Sequence, residues 1–182
     1  MSSNISGIHI LAVDDEIDIL ETIEDALSDS IVDTAQDYET ASEKIRKKRY
    51  DLAILDIMGV NGLKLLEETV ARGIPTVMLT AHAVNPETLM VSIRKGAISY
   101  LPKEALVELE ELLEQLIGAH KRGEPTWKLL FEKLEQYFNK RFGPDWQEAD
   151  KKFWSKFTQT YQVGEGIKQR LLHDEKIKDK GI

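Results

Sequence analysis

Across residues 1–120, short apolar runs alternate with stretches in which apolar residues recur at every third or fourth position. The runs are Ile8 to Val13, Ile31 to Ala35, Leu52 to Leu55, Pro75 to Leu79 and Ile98 to Leu101. Each is too short for helical periodicity and stops at polar or glycine-rich residues, the pattern of a buried strand. Between them lie helical patterns. Ile17, Leu20, Ile23, Ala26 and Leu27 form the first, and Tyr38 to Lys48 the second, whose basic end Arg46-Lys47-Lys48-Arg49 suits the helix dipole. Leu63, Leu65, Leu66 and Val70 precede Gly73, and Leu89, Met90 and Ile93 lie between Pro86 and Gly96. Ala105, Leu106, Leu109, Leu112, Leu113, Leu116 and Ile117 give the most regular stripe. Strand and helix in strict alternation predict an α/β fold, a five-stranded parallel doubly wound sheet with helices on both faces.

The pattern then changes. Trp127, Leu130, Phe131, Leu134, Phe138 and Phe142 predict a helix stopped by Gly143-Pro144. Asp145 and Glu148 read as a capping box opening a second helix with Trp146, Ala149, Phe153, Phe157 and Tyr161. Ile167, Leu171 and Leu172 could add a short turn, and the Lys-rich end is expected to fray. Charge and aromatics mark the same boundary. Residues 1–120 hold 10 Lys/Arg against 22 Asp/Glu, residues 121–182 hold 14 against 10, and ten of thirteen aromatics lie between Trp127 and Tyr161. We therefore expect a domain at 1–120 and an aromatic-rich α-helical hairpin at 121–182, packed on itself or on a second subunit. Aromatics at core spacing and a modest positive charge argue against a nucleic-acid partner. The chain has no cysteine, no apolar run near the length of about 18 residues that a membrane span needs, and no basic-then-apolar leader. The expected location is cytoplasmic.

Every strand but the second ends on or just before a chemically useful group: Asp14-Asp15-Glu16, Asp56, Thr80, and Pro102-Lys103. In a doubly wound sheet these ends share one rim, outside which ligands bind. Two carboxylates about 4 Å apart repel by roughly 4 kcal/mol at an effective dielectric of 20, so either one takes up a proton or a cation binds. Oxygen donors without cysteine or a strand-end histidine point to Mg²⁺, which favours one or two carboxylates completed by phosphate oxygens. An aspartate can attack phosphorus, with Lys103 and Thr80 supplying charge and a hydroxyl. Singly, each residue has a plainer reading: Asp56 a turn former, Thr80 a strand-end hydroxyl, Lys103 a solvated charge, Tyr100 a half-buried ring, Glu16 a helix N-terminal acid, His82 a loop residue. Their joint placement carries the argument.

Over about residues 7 to 118, the ordered set Asp14-Asp15, Asp56, Thr80 and Lys103, with Gly96-Ala97 before Tyr100-Leu101, resembles the receiver domains of two-component response regulators. The resemblance implies a flavodoxin-like strand order 2-1-3-4-5 and phosphorylation of Asp56 by a histidine kinase, a phosphotransfer protein or a small phosphodonor. It implies Mg²⁺ on Asp15, Asp56 and the backbone carbonyl of Met58, with Asp14 acting through water. Lys103 is expected to pair with Asp56. Thr80 and Tyr100 would be the switch that remodels the face of the fourth helix, fifth strand and fifth helix, a face that could also form a homodimer. The chain departs from the family in two places: Glu104 stands where the family's proline, on a cis bond, follows the lysine, and the loop after Asp56 is about two residues shorter and lacks its proline. No output domain is recognisable in the tail. Two rivals are a DNA-binding regulator acting through the tail and an aspartate-nucleophile phosphohydrolase; the latter wants an acid where Met58 stands. The expected protein is a phosphoacceptor and not a turnover enzyme.

Overall fold

A computed structural model describes residues 3–81, 86–127 and 129. Strands β1 (His9–Val13), β2 (Ile31–Ala35), β3 (Leu52–Asp56), β4 (Thr76–Thr80) and β5 (Ser99–Pro102) form one sheet in the order β2-β1-β3-β4-β5, with every pairing parallel. This is the expected doubly wound, flavodoxin-like arrangement. Helices α1 (Ile17–Ala26), α2 (Tyr38–Lys47), α3 (Gly62–Ala71), α4 (Pro86–Lys95) and α5 (Leu109–Lys121) connect and cover it. All five residues of β3 and of β4 are buried, which is why their sequences are continuously apolar up to the final polar residue. β2, at an edge, is only partly covered.

Local signals set most boundaries. Asp37 caps α2 by accepting the Thr40 amide at 2.8 Å. Gly73 and Gly96 follow α3 and α4 at φ +70° and +102°, conformations that only glycine adopts cheaply. Pro102, which has no N–H to give a ladder, closes β5 on the sheet edge.

Two departures from the sequence reading affect the site. The apolar stripe from Ala105 is not one helix: Lys103–Glu108 is a 3₁₀ segment, and α5 begins at Leu109. Trp127, read as the first aromatic of the appendage, is 5% exposed and belongs to the same hydrophobic cluster as the sheet and α5. The hairpin expected beyond it lies outside the described residues.

The residues before β1 strap α5. Ser3 Oγ donates to Glu114 Oε2 at 2.6 Å, the Asn4 amide donates to Glu114 Oε1, and Asn4 Nδ2 reaches the Glu114 carbonyl at 3.3 Å. Ile5, 1% exposed, is buried behind them. Among the described residues, no helix is long and apolar enough to cross a membrane.

Candidate functional site

Strand register assembles the site. Val13 pairs with Leu55, Asp56 with Leu79, and Thr80 with Pro102, so Asp14, Asp56, Thr80 and Lys103 leave four neighbouring strands at one rim. Asp14, Asp56 and Thr80 are 1%, 4% and 5% exposed. Asp14 is fixed by its backbone and one oxygen: its amide donates to the Ala35 carbonyl at 3.1 Å, and its Oδ1 accepts the Glu16 amide at 2.9 Å.

Lys103 Nζ is the ammonium at the centre of this group, 2.9 Å from Asp14 Oδ2, 3.4 Å from Glu16 Oε1 and 3.6 Å from Asp56 Oδ1. The contact with Asp14 is an ion pair without the alignment of a hydrogen bond, so the buried Oδ2 keeps unused acceptor capacity. Burial is the main force raising the Asp14 pKa, against the Lys103 ammonium. For Asp56, burial and then the Asp14 charge push the pKa up to about 7, and Lys103 only partly offsets them. Burial disfavours the Lys103 ammonium, but Asp14, Asp56 and Glu16 outweigh it and raise its pKa. One lysine therefore does not compensate the acids around it.

The other expected residues take distinct places. Asp14, Asp15 and Glu16 bring ligand oxygens within 4.8 Å of one another, with Asp15 and Glu16 open to solvent. Met58 exposes 73% of its surface. His82 lies outside the described residues.

The loop after Asp56 is shaped by two glycines. At Gly59, φ +80°, a Cβ would come within 2.6 Å of Asp15 Oδ2, and at Gly62 it would collide with the Asp56 carbonyl. The Asp15 carboxylate at Gly59 and the Asp56 backbone at Gly62 occupy the places that side chains would take.

Tyr100 points inward and is fully buried, its hydroxyl 2.8 Å from Thr88 Oγ1 on α4 and hydrogen-bonded to Thr80 as well. Burial raises its pKa, against those two hydroxyls. Neither the Thr88 contact nor the Glu16–Lys103 contact was read from the sequence. Glu16 carried a signal in its place beside two aspartates. Thr88, on a different element from Tyr100, carried none.

A family model for the response regulator receiver domain matches residues 10–117. The chain belongs to this family. Among relatives of this receiver domain, the two-component response regulators ARR10 and ARR12 of Arabidopsis thaliana are each 35% identical over 113 residues, or 58% of the chain. The chain covers 20% and 18% of their lengths, so it spans about a fifth of each. A CheY-like receiver domain protein from Methanospirillum hungatei superposes with a TM-score of 0.55 at 28% identity, covering 65% of this chain and all of that one. NtrX from Brucella abortus gives a TM-score of 0.53 at 31% identity, covering 64% of this chain and 28% of its own.

Proposed function

We propose that this receiver domain accepts a phosphoryl group on Asp56 and uses it to switch a protein-binding surface. The observation that carries the reading is the Asp56 carboxyl itself, buried at the rim between Asp14 and Lys103 with its pKa raised to about 7. A carboxylate so poorly compensated gains from a ligand that brings a divalent cation and oxygens for Lys103.

The donor set fits Mg²⁺: hard oxygens only, an excess of negative charge, and a buried Asp14 oxygen without an aligned hydrogen bond. Asp15, Asp56 and the Met58 backbone carbonyl would hold it, with Asp14 acting through water. When bound, the ion neutralises charge on the phosphoryl oxygens and lowers the Asp56 pKa. An Asp56 oxygen forms the bond to phosphorus as the P–N bond of a phosphohistidine donor breaks, and the electron pair stays on the imidazole. Lys103 holds one phosphoryl oxygen, and the Thr80 hydroxyl donates to another. The histidine belongs to a kinase or phosphotransfer partner.

Thr80 and Tyr100 are the readout. A move of Thr80 toward the phosphoryl group alters the hydroxyl chain through Tyr100 to Thr88, and thereby the face made by α4, β5 and α5. A swing of that face from 1:99 to 99:1 requires about 5.5 kcal/mol, so a partial shift suffices for regulation. That face, or the appendage at 121–182, is the surface for a partner or a second copy.

Intact-mass analysis after incubation with acetyl phosphate and Mg²⁺ tests the assignment. Native protein should gain one phosphoryl group and Asp56→Asn none. Equal labelling of both would place the phosphoacceptor elsewhere.

A further inference from the structure

Six of the ten Lys/Arg in residues 1–120 are Lys44, Arg46, Lys47, Lys48, Arg49 and Arg72, concentrated at the opposite end of the sheet from Asp56. The connector from α2 to β3 and the connector from α3 to β4 run side by side there. They flank an open cleft of about 490 Å³ lined by Lys48, Arg49, Tyr50, Asp51, Arg72 and Gly73-Ile74.

The helix dipole accounts for part of this charge, since α2 and α3 present their carbonyl ends here. Those carbonyls are served locally: Arg72 Nη1 donates to the Arg46 carbonyl at 3.2 Å, and the Lys48 amide to the Lys44 carbonyl at 2.9 Å. Lys48 Nζ is shared with Asp33 at 3.0 Å, and Asp33 also accepts the Tyr50 hydroxyl at 2.8 Å. Asp51, the acid in the cleft, already accepts the His9 amide at 2.9 Å. Arg49 stands beyond the end of α2 and has no partner among the described residues, and Arg72 uses one of its five donors. Helix capping does not require Arg49.

We propose that this cleft binds a small phosphoryl-bearing anion, at a site separate from the phosphoacceptor rim. Three cations and one carboxylate line it, and with Asp33 held on Lys48 the cluster keeps one formal positive charge, carried by the less engaged Arg49 and Arg72. The cations come from two connectors, Lys48 and Arg49 from one and Arg72 from the other. A tetrahedral group can accept from both directions, whereas a planar carboxylate meets one guanidinium fork at a time. The volume lies in the range of small-ligand sites. Such a ligand would tie the ends of α2 and α3 together beneath β3, the strand whose far end carries Asp56.

The test is an amide-shift titration of the full chain with inorganic pyrophosphate at constant ionic strength, with citrate in a parallel arm. Saturable shifts at residues 48–51 and 72–74 are expected, about tenfold weaker in Arg49→Gln with all other amides unmoved. Arg72→Gln should weaken binding as well, and Lys95→Gln, on α4, should not. Shifts that rise without saturation, equal affinity for citrate, equal affinity in Arg49→Gln, or perturbation confined to the Asp56 rim would each overturn the proposal. Because Asp56→Asn leaves the cleft intact, failure here is separable from failure of phosphorylation.

Discussion

Lys103 is seated on Asp14: its ammonium lies 2.9 Å from Asp14 Oδ2, closer than to any other acid at the rim. The one ammonium is thus shared between the Asp14 and Asp56 carboxylates, and on the proposed phosphorylation of Asp56 the new oxygens would draw it partly away from Asp14.

Lys103→Ala should fold, because the lysine bears on the rim and not on the core. Without its charge, Asp14 and Asp56 face each other, and stability in chelator should fall by about 1–3 kcal/mol. Mg²⁺ should stabilise the variant more than it stabilises the native protein. Urea unfolding with and without Mg²⁺ measures this, and an equal Mg²⁺ effect in both proteins would count against the shared charge cluster.

The raised Asp56 pKa has a definite sign in stability. Its ordinary value is 3.8 and its folded value about 7, so the unfolded chain releases the proton first. Stability from this group is full below about pH 4 and is lost as pH rises toward 7. In chelator the loss should be on the order of 2–4 kcal/mol, at about 1.4 kcal/mol per pKa unit. Asp56→Asn should flatten most of the slope, leaving a part due to Asp14, whose pKa is also raised. A urea midpoint in Asp56→Asn that falls with pH as steeply as in the native protein would contradict the assignment.

Tyr100 and Thr88 should behave as a coupled pair. Tyr100→Phe and Thr88→Val each remove one side of a 2.8 Å hydrogen bond and should cost about 0.5–1.5 kcal/mol. In a double-mutant cycle the losses should be less than additive. Strict additivity would mean that α4 and β5 are not linked through these hydroxyls.

Two glycine substitutions three residues apart should separate metal binding from folding. In Gly59→Ala the new methyl meets the end of the Asp15 side chain, so Mg²⁺ affinity should fall about tenfold while stability drops by about 1–2 kcal/mol. In Gly62→Ala it meets the Asp56 carbonyl, which cannot swing aside, and stability should fall by more than about 2 kcal/mol. Magnesium titration and thermal unfolding of both variants decide the matter.

The sheet was legible because burial on two faces leaves little choice of residue: Leu52 to Leu55 and Val77 to Leu79 can hardly be anything else. The rim was legible for the same reason, each polar group marking where a buried strand stops. What failed to show was local or remote in a particular way. Ala105, Leu106 and Leu109 have spacings that a 3₁₀ turn and an α-helix share, so the break before α5 left no trace. Trp127 was grouped with its aromatic neighbours because composition cannot tell which core a ring enters. Thr88 and Tyr100 meet only once α4 packs on β5. The basic end of α2 was read as dipole compensation, and the second connector that makes it a cleft is visible only in the fold.

The strap of Ser3, Asn4 and Ile5 over α5 also bears on how the molecule comes into being. Asn4 and Glu114 are 110 positions apart, so residues 3–5 must wait for nearly the whole domain to be made before they find their seat. Closing so long a loop costs more chain entropy than a local contact does. A nascent chain released from synthesis short of α5 would carry a sheet and four helices yet keep Ile5 uncovered. Closure of the strap therefore depends on α5 being made, and a chain that stalls before it leaves the contacts of Ser3 and Asn4 with Glu114 unformed.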